Sequence, residues 1–139
     1  MLRICITIAS WAVISTAALA QDYTTAAEVK PILDATKPQW IAVREFDGKD
    51  LLYFTNLLAW RCGVSEIRYG LNGAPAETVF PMEPCYEGTA APNALLMEKG
   101  ELPYITLDLA SVATVSVFVV YDDETTTTAE YERKAVMTP

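Results

Sequence analysis

Residues 104–135 leave the fewest structural choices, because apolar and polar side chains alternate there with a period of two. YITLDL (104–109) reads as a strand. VATVSVFVVY (112–121) sets Val115, Val117, Val119 and Tyr121 on one face and Val112, Phe118 and Val120 on the other. Such alternation marks a pleated strand, whose successive side chains point to opposite faces. Asp122-Asp123-Glu124-Thr125 supplies a polar connection, and TTTAEYERKA (126–135) returns with Glu130, Glu132 and Lys134 on its polar side. Charges of that kind suit a strand at a sheet edge, where they discourage pairing with another chain.

The strand pattern begins earlier. WIAVREF (40–46) is rich in β-branched and aromatic residues, and Asp47-Gly48 follows as a two-residue hairpin turn. LLYFTNLLAWRC (51–62) is apolar on both alternating sets, with Leu52, Phe54, Leu58 and Trp60 on one and Leu51, Tyr53, Leu57 and Ala59 on the other. The simplest reading is a strand buried on both faces, with a helix through 51–61 as the other option. VSEIRYGL (64–71) alternates Ile67, Tyr69 and Leu71 against Glu66 and Arg68; Asn72-Gly73 is a second hairpin signal, with ETVFPM (77–82) as its return. Residues 81–103 carry Pro81, Pro84, Pro92 and Pro103 and read as loop, with one helical turn at 93–99 ending at Gly100. Ahead of the strands, Thr25 and Glu28 stand in capping-box spacing, and Ala26, Val29, Ile32 and Leu33 share a helical face. Pro31 makes this either a kinked helix or one beginning near that proline.

About seven short strands separated by turn residues predict a mainly β fold: one antiparallel β-sandwich over residues 21–139, with a short N-terminal helix. Packing the oily strand faces together drives it, at about 25 cal/mol per Å² buried. Through VSVFVVYDDETTTTAEYER the layout resembles immunoglobulin-like and fibronectin-like sandwiches. It departs from the antibody pattern, because Cys62 and Cys85 are too close in sequence for the inter-sheet bridge. The chain from Gln21 onward is also similar to small secreted proteins of alphaproteobacteria, a resemblance that brings no site residues with it.

The first twenty residues have the layout of an export signal. Arg3 is their only charge, an apolar stretch runs from Ile4 to Ile14, and Ala18-Leu19-Ala20 closes the segment. This predicts cleavage between Ala20 and Gln21, removal of Cys5 with the leader, and no stable membrane insertion afterwards. The whole chain carries 10 basic and 18 acidic residues, and cleavage removes only Arg3 from that balance. A strongly acidic domain repels nucleic acid and anionic lipid and, if it has a charged partner, favours a basic one. Export to an oxidising compartment predicts a disulfide between the remaining Cys62 and Cys85. The chain has no histidine. That excludes Ser-His-Asp and Cys-His catalysis, histidine-bearing zinc sites and c-type haem attachment. Nothing in the sequence calls for a metal or a cofactor.

The stapled segment around Cys85 is the expected recognition surface, with Phe80, Met82, Glu83, Tyr86 and Glu87 as its candidate binding patch. Aromatic residues and methionine favour interface centres, and a stapled loop loses less entropy on binding. Glu83 and Glu87 are also the carboxylates best placed for acid–base work if a cleft raised one of them. Asp122-Asp123-Glu124 lacks calcium-loop spacing and reads as a solvated hairpin turn. Trp40 and Trp60 are expected in the core, and Arg61 and Arg68 are expected to pair with nearby carboxylates. The expected function is an exported, non-catalytic protein that binds a protein or envelope component. The rivals are an inhibitor of a secreted basic enzyme and a carboxylate-dependent hydrolase.

Overall fold

The computed structural model describes residues 21–139, so the cleavage site between Ala20 and Gln21, like the rest of the leader, falls outside or at the limit of the described residues. Strand β1 (Ala42–Phe46) turns into β2 (Lys49–Tyr53) through Asp47 and Gly48, with φ of 49° and 70°. Two consecutive left-handed residues make a tight turn whose twist matches that of the strands, and Asp-Gly adopts it readily. Strand β5 (Tyr104–Asp108) lies on the far side of β2, giving an antiparallel sheet of order β1-β2-β5. The second sheet, of order β4-β3-β6-β7, contains β3 (Val64–Leu71), β4 (Thr78–Val79), β6 (Thr114–Tyr121) and β7 (Thr126–Glu132). All strand pairings are antiparallel. The described residues therefore form a seven-stranded, mainly β structure with the two layers of a sandwich. Its fourth strand differs from the immunoglobulin constant-domain order, since β4 pairs with β3 rather than extending the sheet of β5.

The alternation read from 112–121 decides which face is buried. Val115, Val117, Val119 and Tyr121 all point inward, and they share one buried cluster with Ile67 of β3 and with Val43 and Leu52 of the other sheet. Phe54 and Phe80 join that cluster, with ring centroids 4.3 Å apart.

Helix α1 (Ala26–Ala35) closes one end of the sandwich with Ala26, Val29 and Leu33 buried. Pro31 lies inside it and does not end it. The Glu28 carboxylate accepts the Thr24 and Thr25 backbone N–H groups at 3.0 and 3.1 Å, so the capping-box spacing signals a real helix start. The helix seats on Gly63, where a Cβ would come within 2.5 Å of Val29 Cγ2 and 2.7 Å of the Thr25 carbonyl. Trp40 is fully buried behind the helix, and its indole N–H donates to the Leu33 carbonyl at 2.8 Å.

Four expectations change. The apolar run at 51–62 is neither a long strand nor a long helix: β2 stops at Tyr53, and Thr55–Leu58 forms a single helical turn, α2, followed by a 3-10 turn at Arg61–Gly63. Leu57 and Leu58 are buried by turning the chain, not by extending it. Asn72-Gly73 does turn with positive φ, but the return strand pairs Thr78 with Tyr69 and Val79 with Arg68, leaving a wide connection. Its Asn72 side chain is used elsewhere, accepting from Ala113 N–H at 2.7 Å. The last strand ends at Glu132, and Arg133–Val136 forms a helical turn, α3. Finally, 93–99 forms no helix.

Candidate functional site

From Pro81 to Pro103 the chain has neither strand nor helix, and few of its own backbone hydrogen bonds hold it. Its shape comes from side chains anchored beneath it. Arg61 leads them. The α2 and 3-10 turns bring its guanidinium under the loop, where the residue is 2 % exposed. Its Nε donates to the Glu83 carbonyl at 2.8 Å, and Nη2 donates to the Pro84 and Ala94 carbonyls at 2.8 Å each. Nη1 donates to the Asn93 and Leu58 carbonyls at 2.7 and 3.1 Å. A planar fork of five N–H groups can gather carbonyls from several chain segments at once, as a lysine cannot. Burial pulls the Arg61 pKa down, while the nearby charge of Glu83 opposes this. No carboxylate oxygen among the described residues forms an ion pair with Arg61, contrary to the expected pairing; Arg68 does pair, with Glu66.

The neighbouring residue adds the covalent tie. Cys62 and Cys85 form a disulfide with Cα atoms 4.9 Å apart, as expected from the cysteine count. Asn93 adds a third anchor: its Oδ1 accepts the Cys62 N–H at 2.9 Å, and its Nδ2 donates to the Tyr23 carbonyl at 3.0 Å.

Glu83 holds the loop tip. Its Oε1 accepts the Tyr86 hydroxyl at 2.5 Å and the Leu96 and Met97 N–H groups at 2.7 and 3.0 Å. Burial alone would push this carboxyl up; the hydrogen bonds from Tyr86, Leu96 and Met97, with the charge of Arg61, outweigh it and hold the pKa below the ordinary value. Tyr86 is driven the other way, to about 12, chiefly by its hydrogen bond to Glu83. Glu83 is therefore a buried anion with a structural task, the opposite of a raised general acid.

The expected patch is split by this arrangement. Phe80 is core, Glu83 faces inward, Met82 and Tyr86 are half-buried, and Glu87 is exposed. The residues the loop does present were not singled out from the sequence: Leu96, Met97 and Leu102 are 48 %, 46 % and 50 % exposed. They stand among Glu98, Lys99 and Glu101 at a turn where Met97 and Gly100 have positive φ. The signal was present in the ALLMEKGELP run, where apolar residues cluster in a segment bounded by prolines and showing no strand periodicity.

A second buried network was also missed. Asp50 is fully buried on β2 and takes two hydrogen bonds from Arg133, at 2.5 and 2.9 Å, and one each from Ala110 and Val112 N–H, at 3.0 and 3.2 Å. Arg133 also reaches Glu45 at 2.8 Å. The hydrogen bond from Arg133 is the main reason the Asp50 pKa falls to about 2. Asp122 and Asp123, read as a solvated turn, dock on α1: Asp122 accepts Ala26 N–H at 2.8 Å, and Asp123 pairs with Lys30 at 2.5 Å. Among the described residues no group of three or more acidic or cysteine side chains could hold a metal ion, and no helix is long and apolar enough to cross a membrane. No family model, curated protein or solved structure matches the chain.

Proposed function

We propose that this is an exported, non-catalytic binding protein of the periplasm or cell exterior, and that the 94–102 loop tip is its recognition surface toward a protein partner. One observation carries the reading. Arg61, Glu83, Asn93 and the disulfide are all spent on fixing a segment whose tip exposes Leu96, Met97 and Leu102. Burying a charged guanidinium and a carboxylate is costly; Arg61 and Glu83 Oε1 are well bonded, while Glu83 Oε2 is buried with no hydrogen-bond partner. A loop needed only to connect β4 to β5 has no use for such a frame. A loop that must meet a partner with its backbone already ordered does, since preorganisation lowers the entropic cost of association. Leucine and methionine rimmed by charge also fit the anatomy of a modest interface. The buried acids support a non-catalytic role, because Asp50 and Glu83 are held as anions rather than poised to exchange protons near neutrality.

The test is in-cell crosslinking from position 98, beside the apolar tip, in the native protein and in a Leu96→Asp/Met97→Asp/Leu102→Asp variant. A discrete adduct in the native protein that disappears in the variant, while disulfide and thermal stability persist, is the expected result. Adducts identical in both would remove the tip as the recognition surface.

A further inference from the structure

A second feature lies on the outer face of the β1-β2-β5 sheet and shares no lining residue with the loop tip. The register sets Ala42 opposite Tyr53, Tyr53 opposite Tyr104, and Arg44 opposite Leu51, so these side chains occupy one face. Where that face meets α2 there is a groove of about 350 Å³. Buried Trp40 and Ile41 and half-buried Ala42 give it an apolar base, and Arg44, Tyr53 and Asn56 bring polar atoms to it. The Tyr53 and Tyr104 rings pack at 5.0 Å, which steadies the aromatic wall.

Arg44 is the informative residue. Among the described residues its side chain forms no ion pair and no hydrogen bond, whereas Arg68 and Arg133 are paired with carboxylates and Arg61 is filled by carbonyls. In a chain with 18 acidic residues, a free guanidinium at a groove is out of keeping with the rest of the surface. Its position is biased, since it lies over the exposed Phe46 ring at 4.9 Å from the centroid. A guanidinium held in this way matches one carboxylate in a two-point contact. The acidic field of the whole protein works against ligands with several negative charges. An aromatic wall suits the C–H face of a sugar ring, and the Tyr53 hydroxyl and Asn56 Oδ1 suit its hydroxyls, the Asn56 Nδ2 being engaged by the Gln39 carbonyl. The size is at the lower end of small-ligand sites, roughly 300–1,000 Å³. An extended peptide is disfavoured, because the β1 edge beside the groove is already taken by the chain's own C-terminal residues: Met137 bridges Val43, and Thr138 N–H donates to the Val43 carbonyl at 2.9 Å.

We infer that this groove binds a small acidic saccharide, a pyranose bearing one carboxylate, with Arg44 on the carboxylate and Tyr53 against the ring. The test is a backbone-amide NMR titration of the disulfide-bonded protein with glucuronate, galacturonate and N-acetylmuramate. Glucose, acetate and N-acetylglycine serve as comparison probes, and the whole series is repeated on Arg44→Gln. At least one acidic sugar is expected to shift Ala42, Arg44, Tyr53 and Asn56 saturably, with a dissociation constant on the order of 1 mM. Binding should weaken at least ten-fold for glucose and acetate, and at least ten-fold in Arg44→Gln with the remaining spectrum unchanged. Four results would overturn it: no shifts at the groove, equal binding of glucose or acetate, equal or tighter binding of N-acetylglycine, or undiminished binding by Arg44→Gln.

Discussion

Arg61 and Asp50 show how single residues carry this structure, one by gathering carbonyls and the other by gathering donors. Arg61→Lys keeps the charge but cannot reach five carbonyls on separate segments, so those oxygens lose their partners. The expected loss is about 3 kcal/mol or more in denaturant unfolding, and Arg61→Met should fare no better. Asp50 sets a pH dependence whose sign follows from its depressed pKa of about 2. Its unfolded value is near 3.9, so its contribution is complete above about pH 4 and is lost as the pH falls toward 2. That contribution is about 2 kcal/mol. Asp50→Asn should therefore be less stable than the native protein at neutral pH and nearly equal to it at pH 2. A difference that persists unchanged at pH 2 would mean that packing, and not the charge, holds this site. None of this was legible from residue types. Arg61 in sequence looks like any surface arginine, and four of its five carbonyl partners lie more than twenty positions away.

At the scale of elements, the two hairpin signals had unequal value. Asp47-Gly48 reads correctly because a two-residue turn between strands is a local object, decided by two φ angles. Asn72-Gly73 turns as its residues dictate, yet the pairing beyond it is set by where Phe80 must be buried, and its N–H donates to the Ile67 carbonyl at 2.8 Å. The 51–62 run failed for a related reason. Apolar side chains on both alternating sets fit a strand or a helix equally, and the chain forms both, with Arg61 carried beneath the loop after the turn. Helix α1 was legible through its cap and its apolar spacing, but its anchorage was not. Asp122→Ala removes the acceptor for Ala26 N–H and should cost about 1 kcal/mol in thermal unfolding. Gly63→Ala should cost more, because the added methyl meets Val29 and the Thr25 backbone and the helix must lift. If both variants melt like the native protein, α1 is not seated as described.

For the whole molecule, burial and alternation sufficed to predict the sandwich, since seven short strands with one oily face each have few other ways to exclude water. The cysteines likewise predicted their bond. The loop over them was legible as a stapled segment but not as a surface, because which side chains face out depends on the frame beneath. Charges in that frame make the loop a part of the fold and not an appendage. Native-state hydrogen exchange of the Leu96 and Met97 amides tests it most directly. Both N–H groups donate to buried Glu83, so they should exchange about as slowly as amides paired between β3 and β6, and faster in Glu83→Gln. Exchange at the rate of an unprotected chain in the native protein would contradict the account and leave the loop as a mobile connection.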